Sequence, residues 1–297
     1  MIDINRVLGE LICSIPKGKV TTFKVLAEAL GSRYAIKFVL QNYRKIEGPW
    51  WRVVSERGII KDPIQKKILK EEGIEIKGDE IVGLERYLFK DFNIKDKPLE
   101  KLRRIQMEVT KNLILYDDFD KLESIGGVDL GYKEDSAKVV YVVLDKNLSI
   151  KKKYVFIEKV NFPYIPSFLA FREGEPIIKT FDRIDEEIDV LFVNGVGIAH
   201  PVRVGLATWV GYKLNIPTIG ITKSLLYGKL VDDKIVDEKT GEILGYVIRK
   251  FGREVYVSPG YRVSLDTSKQ LSEKFWIRGR YPEPIRLADE ISKKVTL

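Results

Sequence analysis

Val190-Leu191-Phe192-Val193-Asn194-Gly195-Val196-Gly197-Ile198-Ala199-His200-Pro201 is the stretch from which the rest of the chain can be read. Its first four residues form a short, continuous apolar run, the pattern of a strand covered on both faces. The run ends abruptly on a polar residue, Asn194. Two glycines and the chain's single histidine, His200, follow. Polar groups on a loop at the end of a rigid strand are a common setting for catalysis and metal binding.

Working outward, a helix is expected from about Val202 to Leu214, and a second buried strand over Ile216–Ile221. Upstream, strand-like runs cover Ile125–Leu130, Val139–Leu144 and Tyr154–Glu158. Leu102, Ile105, Val109 and Leu113 fall on one face of a helix from about Leu99 to Leu115. A hairpin is expected around Asp237–Glu242. Strands alternating with helices make this half an α/β domain with a central sheet.

The chain to about Phe92 reads differently. Helices are expected over Asn5–Ser14, over Phe23–Leu30 behind an N-capping Thr21-Thr22, and from Arg33 to about Tyr43, with Gly31-Ser32 as the break. Such a pair of short helices suits a helix-turn-helix, or any small helical bundle. The polar stretch Asn93–Pro98 reads as the linker, which gives domains at 1–92 and 93–297.

Composition narrows the setting. Lys and Arg number 51 against 43 Asp and Glu, a net charge of +8, which suits a polyanionic partner or a surface kept charged for solubility. No apolar stretch approaches the roughly 20 residues of a membrane span. The N-terminus lacks a signal-peptide pattern, and one cysteine, Cys13, permits no internal disulfide. A cytoplasmic protein acting as a monomer is the expectation.

Three oxygen-bearing side chains end strands or segments: Asp129 after Ile125-Gly126-Gly127-Val128, Glu173 after Phe168-Leu169-Ala170-Phe171-Arg172, and Asn194. An acid in an apolar strand is costly to bury without a cation or hydrogen-bond donors. If the strands are neighbours, the three converge on a site suited to Mg²⁺, with Mn²⁺ as the alternative. Taken singly, each acid also fits as a turn cap or as an ion-pair partner of Arg172 or a lysine.

The runs Gly127-Val128-Asp129, Pro163–Glu173, Gly195–Pro201 and Ile219-Gly220-Ile221-Thr222-Lys223, together with Ser258–Ser264 and Tyr281–Asp289, resemble endonuclease V from about Pro98 to the C-terminus. The resemblance implies an RNase H-like mixed-sheet fold and a Mg²⁺-dependent endonuclease. It implies nicking of DNA 3′ to deaminated bases, chiefly hypoxanthine. It makes Asp129 and Glu173 the site carboxylates, and places His200 and Lys223 beside them. Pro163-Tyr164-Ile165-Pro166 matches the wedge that fills the gap left by a rotated base. Leu169, Gly195, Gly197 and Leu226 fall at lesion-pocket positions. A stiff Pro-Tyr-Ile-Pro tip and glycine amides close to a base edge suit those roles physically. Two positions depart. Asn194 stands where the family carries a metal-binding aspartate, and Tyr261 where some members carry a histidine. An amide offers an oxygen but no charge. That leaves a naturally weakened site, another acid in its place, or an inactivating substitution.

Ile15–Phe23 and Gly48-Pro49-Trp50-Trp51-Arg52-Val53-Val54 resemble the DNA-binding domain of O6-alkylguanine-DNA alkyltransferases over about Ile4–Gly73. Trp50 occupies the position of the alkyl-accepting cysteine and Trp51 that of the next histidine. The first exchange is similar to alkyltransferase-like proteins, which bind alkylated bases without repairing them. By the same resemblance Phe23 stands for a tyrosine that helps rotate the nucleotide. Arg33, counted back from Asn42, stands for the intercalating arginine. Adjacent residues of an extended chain face opposite ways, so one of the two tryptophans is expected to line a base pocket.

The expected protein is therefore a DNA-repair endonuclease behind a non-reactive reader of alkylated bases. Its partner is DNA holding deaminated or alkylated bases. A non-catalytic lesion-binding protein and an inosine-specific RNA endonuclease are the rivals.

Overall fold

The computed structural model describes residues 3–133 and 135–294. The chain folds into two compact units, one of residues 1–104 with 162–166, the other of residues 105–161 with 167–297.

The first unit holds α1 (Ile4–Cys13), β1 (Thr21–Thr22), α2 (Phe23–Ala29), α3 (Ile36–Asn42), β2 (Val53–Val54), α4 (Pro63–Glu71), β3 (Ile76–Lys77) and β4 (Glu80–Ile81). Asp3 caps α1 and Thr22 caps α2, each side chain accepting a backbone N–H of the first turn. Thr21-Thr22 also pairs in parallel with Val53-Val54, which ties the α2 N-terminus to the segment after the two tryptophans. The expected single helix from Arg33 begins instead as a 3-10 turn, Arg33–Ala35, capped by Ser32. Val20, Val54, Ile60, Leu69, Ile74 and Ile81 form the core here.

α5 (Pro98–Lys111) leads into the second unit, where β5 (Ser124–Lys133), β6 (Ser136–Asp145), β7 (Ile150–Lys159), α6 (Leu169–Phe181), β8 (Val190–Asn194), α7 (Leu206–Leu214), β9 (Thr218–Thr222), β10 (Lys229–Val231), β11 (Lys234–Val236), β12 (Ile243–Lys250), β13 (Arg253–Tyr261), α8 (Leu265–Phe275) and α9 (Glu283–Lys294) follow. The strands make one nine-stranded sheet in the order β10-β11-β12-β13-β9-β8-β5-β6-β7. β5, β8 and β9 run parallel at its centre, and the flanking strands pair antiparallel.

Alternation along the strands sorts the core into two layers. Leu191 and Val193 face α6 and α7, packing with Val128, Ile177, Leu206 and Val210. Phe192 faces the other way, with Ile125, Ile219, Val257, Phe275 and Ile285 against α8 and α9. Each central residue buries an aliphatic or aromatic side chain, worth ~1.5–3 kcal/mol. α7 starts at Leu206 rather than near Val202. Arg203 sits in left-handed backbone at φ 58°, so the chain turns once more before the helix. α5 ends at Lys111, short of the expected Leu115, where the Asn112 side chain donates to the Glu108 carbonyl.

Candidate active site and base-reading cavity

The parallel pairing of β5 with β8 stops at Val128 and Val193, where β8 runs out while β5 continues against β6 to Lys133. Val128 pairs with Val193, which sets Asp129 and Asn194 side by side one residue later. Alternation turns both toward the α9 face. There the Asn194 Nδ2 donates to Asp129 Oδ1 at 2.6 Å, and Ser292 of α9 donates its hydroxyl to Asp129 Oδ2 at 2.6 Å. α9 comes this close because Gly127 has no side chain. A Cβ there would stand 2.2 Å from the Pro284 carbonyl oxygen. Glu173 arrives from α6 and accepts the Tyr132 hydroxyl at 2.9 Å. The Arg172 guanidinium lies 4.8 Å over the Tyr132 ring.

The electrostatics are those of carboxylates taken out of water. Burial pushes Glu173 up to about 7; the Tyr132 hydroxyl opposes it, and the charge of Asp129 adds a smaller upward push. Burial also raises Asp129, helped by the charge of Asp289; its bonds from Ser292 and Asn194 oppose this without cancelling it. Two buried acids and an amide oxygen form a hard, oxygen-only donor set. A divalent cation fits that set, because it would offset the cost of burying their charge. Among the described residues, no group of three His, Cys, Asp or Glu side chains stands at metal-binding geometry.

His200 is buried. Its Nδ1 accepts the Val202 N–H at 3.3 Å, which puts the ring proton on Nε2, 3.2 Å from the Ser167 carbonyl. It thus pins the turn that leads into α6 and Glu173. Lys223 lies exposed just beyond β9. Tyr164 is exposed while its neighbour Ile165 is buried, so the tip presents one ring. Leu169 is half-buried and Leu226 exposed. The amides of Gly195 and Gly197 are already used, donating to the Val193 carbonyl and the Ser258 hydroxyl. Glycine is required at 197 because a Cβ would stand 2.0 Å from the Pro259 carbonyl oxygen. Tyr132, Ser292 and Asp289 complete the surroundings of the site and do not stand out in the sequence. Asp289 closes the Tyr281–Asp289 run, which is the one signal pointing to it.

In the first unit a cavity of about 590 Å³ is lined by Phe23, Ile36, Tyr43, Arg44, Asp62 and Val53–Arg57, among others. Phe23 meets Tyr43 edge to face, ring centroids 5.2 Å apart. Neither tryptophan is among the residues lining this cavity. The reason is local geometry. Trp50-Trp51-Arg52 is a 3-10 turn, not extended chain. Trp51 turns inward to the core, and its indole N–H donates to Glu72 at 2.9 Å. Trp50 is covered by Arg44, whose guanidinium lies 4.6 Å over the ring and is paired to Asp62 at 2.8 Å. Arg33 is exposed and bonded to Glu28.

A mixed sheet with buried carboxylates beside its central parallel strands, preceded in the chain by a small helical unit with an aromatic-lined cavity, fits a nuclease with an appended helical domain. The Endonuclease V family model matches residues 107–290, and the model of the 6-O-methylguanine DNA methyltransferase DNA-binding domain matches 4–75. The chain is 38% identical over 303 residues to the bifunctional methyltransferase-like/endonuclease of Nanoarchaeum equitans, spanning 99% of this chain and 95% of that one. It is 39% identical to Endonuclease V of Archaeoglobus fulgidus over 66% of this chain and 93% of that protein. Ciona intestinalis Endonuclease V, solved with a DNA containing an inosine followed by a ribo-adenosine, superposes with a TM-score of 0.61 at 27% identity, covering 67% of this chain and 98% of that one. The chain belongs to the endonuclease V family, has its RNase H-like fold, and carries an alkyltransferase-like domain at its N-terminus. It is a DNA-repair type of nuclease. No described helix is long and apolar enough to cross a membrane.

Proposed function

We propose that residues 93–297 nick one strand of DNA 3′ to a deaminated purine, and that residues 1–92 hold alkylated guanine without reacting with it. The observation that carries the first part is the convergence of Asp129, Glu173 and Asn194 at one end of the sheet. Asp129, Glu173 and the Asn194 carbonyl would hold Mg²⁺ or Mn²⁺, which when bound polarises a phosphodiester and lowers the pKa of water. Ser292 and Tyr132 orient the two carboxylates, and His200 fixes the turn that delivers Glu173. Lys223 meets the phosphate. The exposed Tyr164 ring takes the place of the rotated base, whose extrusion costs a few kcal/mol.

The test is a hypoxanthine-containing duplex incubated with the protein and Mg²⁺. Site-specific nicking supports the reading, and loss of nicking in Asp129→Asn ties it to this site. A second reading, lesion binding without cleavage, draws on the amide at 194. It requires selective binding of the same duplex with no product even in Mn²⁺. An inosine-containing RNA run in parallel separates the RNA endonuclease alternative.

A further inference from the structure

The hairpin joining β12 to β13 has a composition its turn does not call for. Lys250 pairs with Arg253, leaving Phe251-Gly252 as a two-residue loop. Both loop residues are left-handed, at φ 54° and 66°, the geometry in which Asn-Gly or Gly-Gly is the ordinary choice. Phenylalanine is a rare occupant of that backbone. The residue is 57% exposed.

The tip is also rigid. The Lys250 ammonium donates to the Glu273 and Trp276 carbonyls at 2.7 and 3.2 Å, and the Phe251 ring meets the buried Trp276 edge to face at 6.3 Å. Arg249 and Arg253 flank the turn on its two strands, and Lys274 follows Glu273, whose carbonyl Lys250 bonds; all three cations are exposed. Arg249 faces Glu254 at 3.5 Å, and Glu254 also accepts the Tyr256 hydroxyl; no ion pair is formed by Arg253 or Lys274 among the described residues. An exposed ring on the same stiff arm as exposed cations matches the chemistry of nucleic acid: a π face for a base or sugar, and charges for phosphates.

The sheet register says where the arm points. Val257 of β13 lies opposite Ile221, which pairs on its other side with Asn194. The hairpin therefore extends beyond the same end of the sheet that holds the carboxylates. With ~3.3 Å per residue and ~4.8 Å between strands, its tip stands about 25 Å from Asp129. At 3.4 Å per base pair that is roughly seven base pairs along a duplex.

We propose that this hairpin is a second DNA contact of the nuclease unit, gripping the backbone about seven base pairs from the nicked bond. The inference rests on the DNA-nicking reading above. The probe is a fluorescent 30-base-pair duplex, with or without a central hypoxanthine, titrated with the full chain in Ca²⁺ at several salt concentrations. Arg249→Gln/Arg253→Gln is expected to weaken binding about tenfold and to lower the log–log salt slope by one to two. Phe251→Asn suits the turn, so it is expected to keep or raise Tm while weakening binding severalfold. Trimming one arm of the duplex to four base pairs is expected to erase the difference between wild type and variants. Unchanged affinity and slope in the variants, with wild type binding normally, overturns the proposal. So does a lower Tm for Phe251→Asn with binding intact, which would make the ring a cover for Trp276. Failure of the wild type itself to bind any duplex would instead overturn the DNA reading.

Discussion

Asn194 and Asp129 share a hydrogen bond of 2.6 Å in which the amide is the donor. The bond keeps Asp129 oriented and withholds a charge from the site. Asn194→Asp removes the donor and adds a third acid to two that already repel. In EDTA the variant should melt several degrees below wild type. Mg²⁺ should more than restore it, because affinity rises with ligand charge and a ligand that binds only the folded state stabilises it. Nicking of a hypoxanthine duplex should rise on the order of tenfold or more. Equal Mg²⁺-dependent Tm shifts in the two proteins would show that the amide costs the site nothing.

The burial of Glu173 predicts an inverted pH profile for the metal-free protein. Glu173 titrates near 4.5 when free and about 7 when folded. Below pH 4.5 it is protonated in both states and has no effect. Between 4.5 and 7 the folded state keeps a proton that the unfolded state has lost, so stability falls as pH rises, and it levels off above 7. The loss amounts to roughly 3 kcal/mol. Denaturant titrations in EDTA should show this fall, Glu173→Gln should flatten it, and saturating Mg²⁺ should abolish it. A stability that climbs with pH through this window in EDTA would contradict the arrangement.

Part of this site was legible because apolar runs mark the central strands. The run before Asn194 does mark a strand end, but Asp129 lies inside β5, which continues to Lys133, and Glu173 lies inside α6, so neither ends its element as expected. The partners that hold those side chains were not legible. Ser292 reaches Asp129 from 163 residues away, through a helix whose approach depends on Gly127 and on sheet register. Gly195 and Gly197 suggested open backbone for a base edge, whereas their amides are spent on neighbours that only the folded sheet brings near. Periodicity reports which face a residue occupies; it does not report what stands across from it. The same limit hid the 3-10 turn that sends Trp50 and Trp51 apart.

Glu72 is predicted to be the structural keystone of the first unit. It accepts from Trp51, from the Gly18 amide and from Arg52, and the Arg52 and Glu72 side chains are 15% and 8% exposed. Burial alone would raise its pKa, but these donors outweigh it and hold the carboxyl low. Glu72→Ala leaves the Arg52 guanidinium buried and unpaired, an effect of ~3–5 kcal/mol. Replacing both, as Arg52→Met with Glu72→Leu, should recover most of that. Denaturation followed by tryptophan fluorescence measures both. A loss under about 1 kcal/mol for Glu72→Ala would place the network at the surface in energetic terms.

Arg44 decides whether Trp50 can serve as a base-stacking surface. Its guanidinium covers the indole at 4.6 Å while its other contacts run to Asp62 and Tyr43. It also lines the cavity, so swinging away would open the ring to an incoming base. Arg44→Ala should make Trp50 more accessible to acrylamide, an increase absent when Trp50→Phe is added. Stacking of one base on an aromatic ring is worth ~1–3 kcal/mol, so Trp50→Ala should weaken binding of an O6-alkylguanine duplex about tenfold. It should leave nicking of hypoxanthine DNA lacking alkylated bases unchanged, since the nuclease residues are untouched. Trp51→Ala should act differently, lowering Tm through lost core packing and the vacated bond to Glu72. If Trp50→Ala binds the alkylated duplex as tightly as wild type, the ring under Arg44 is a packed surface residue and the base is held by Phe23 and Tyr43 alone.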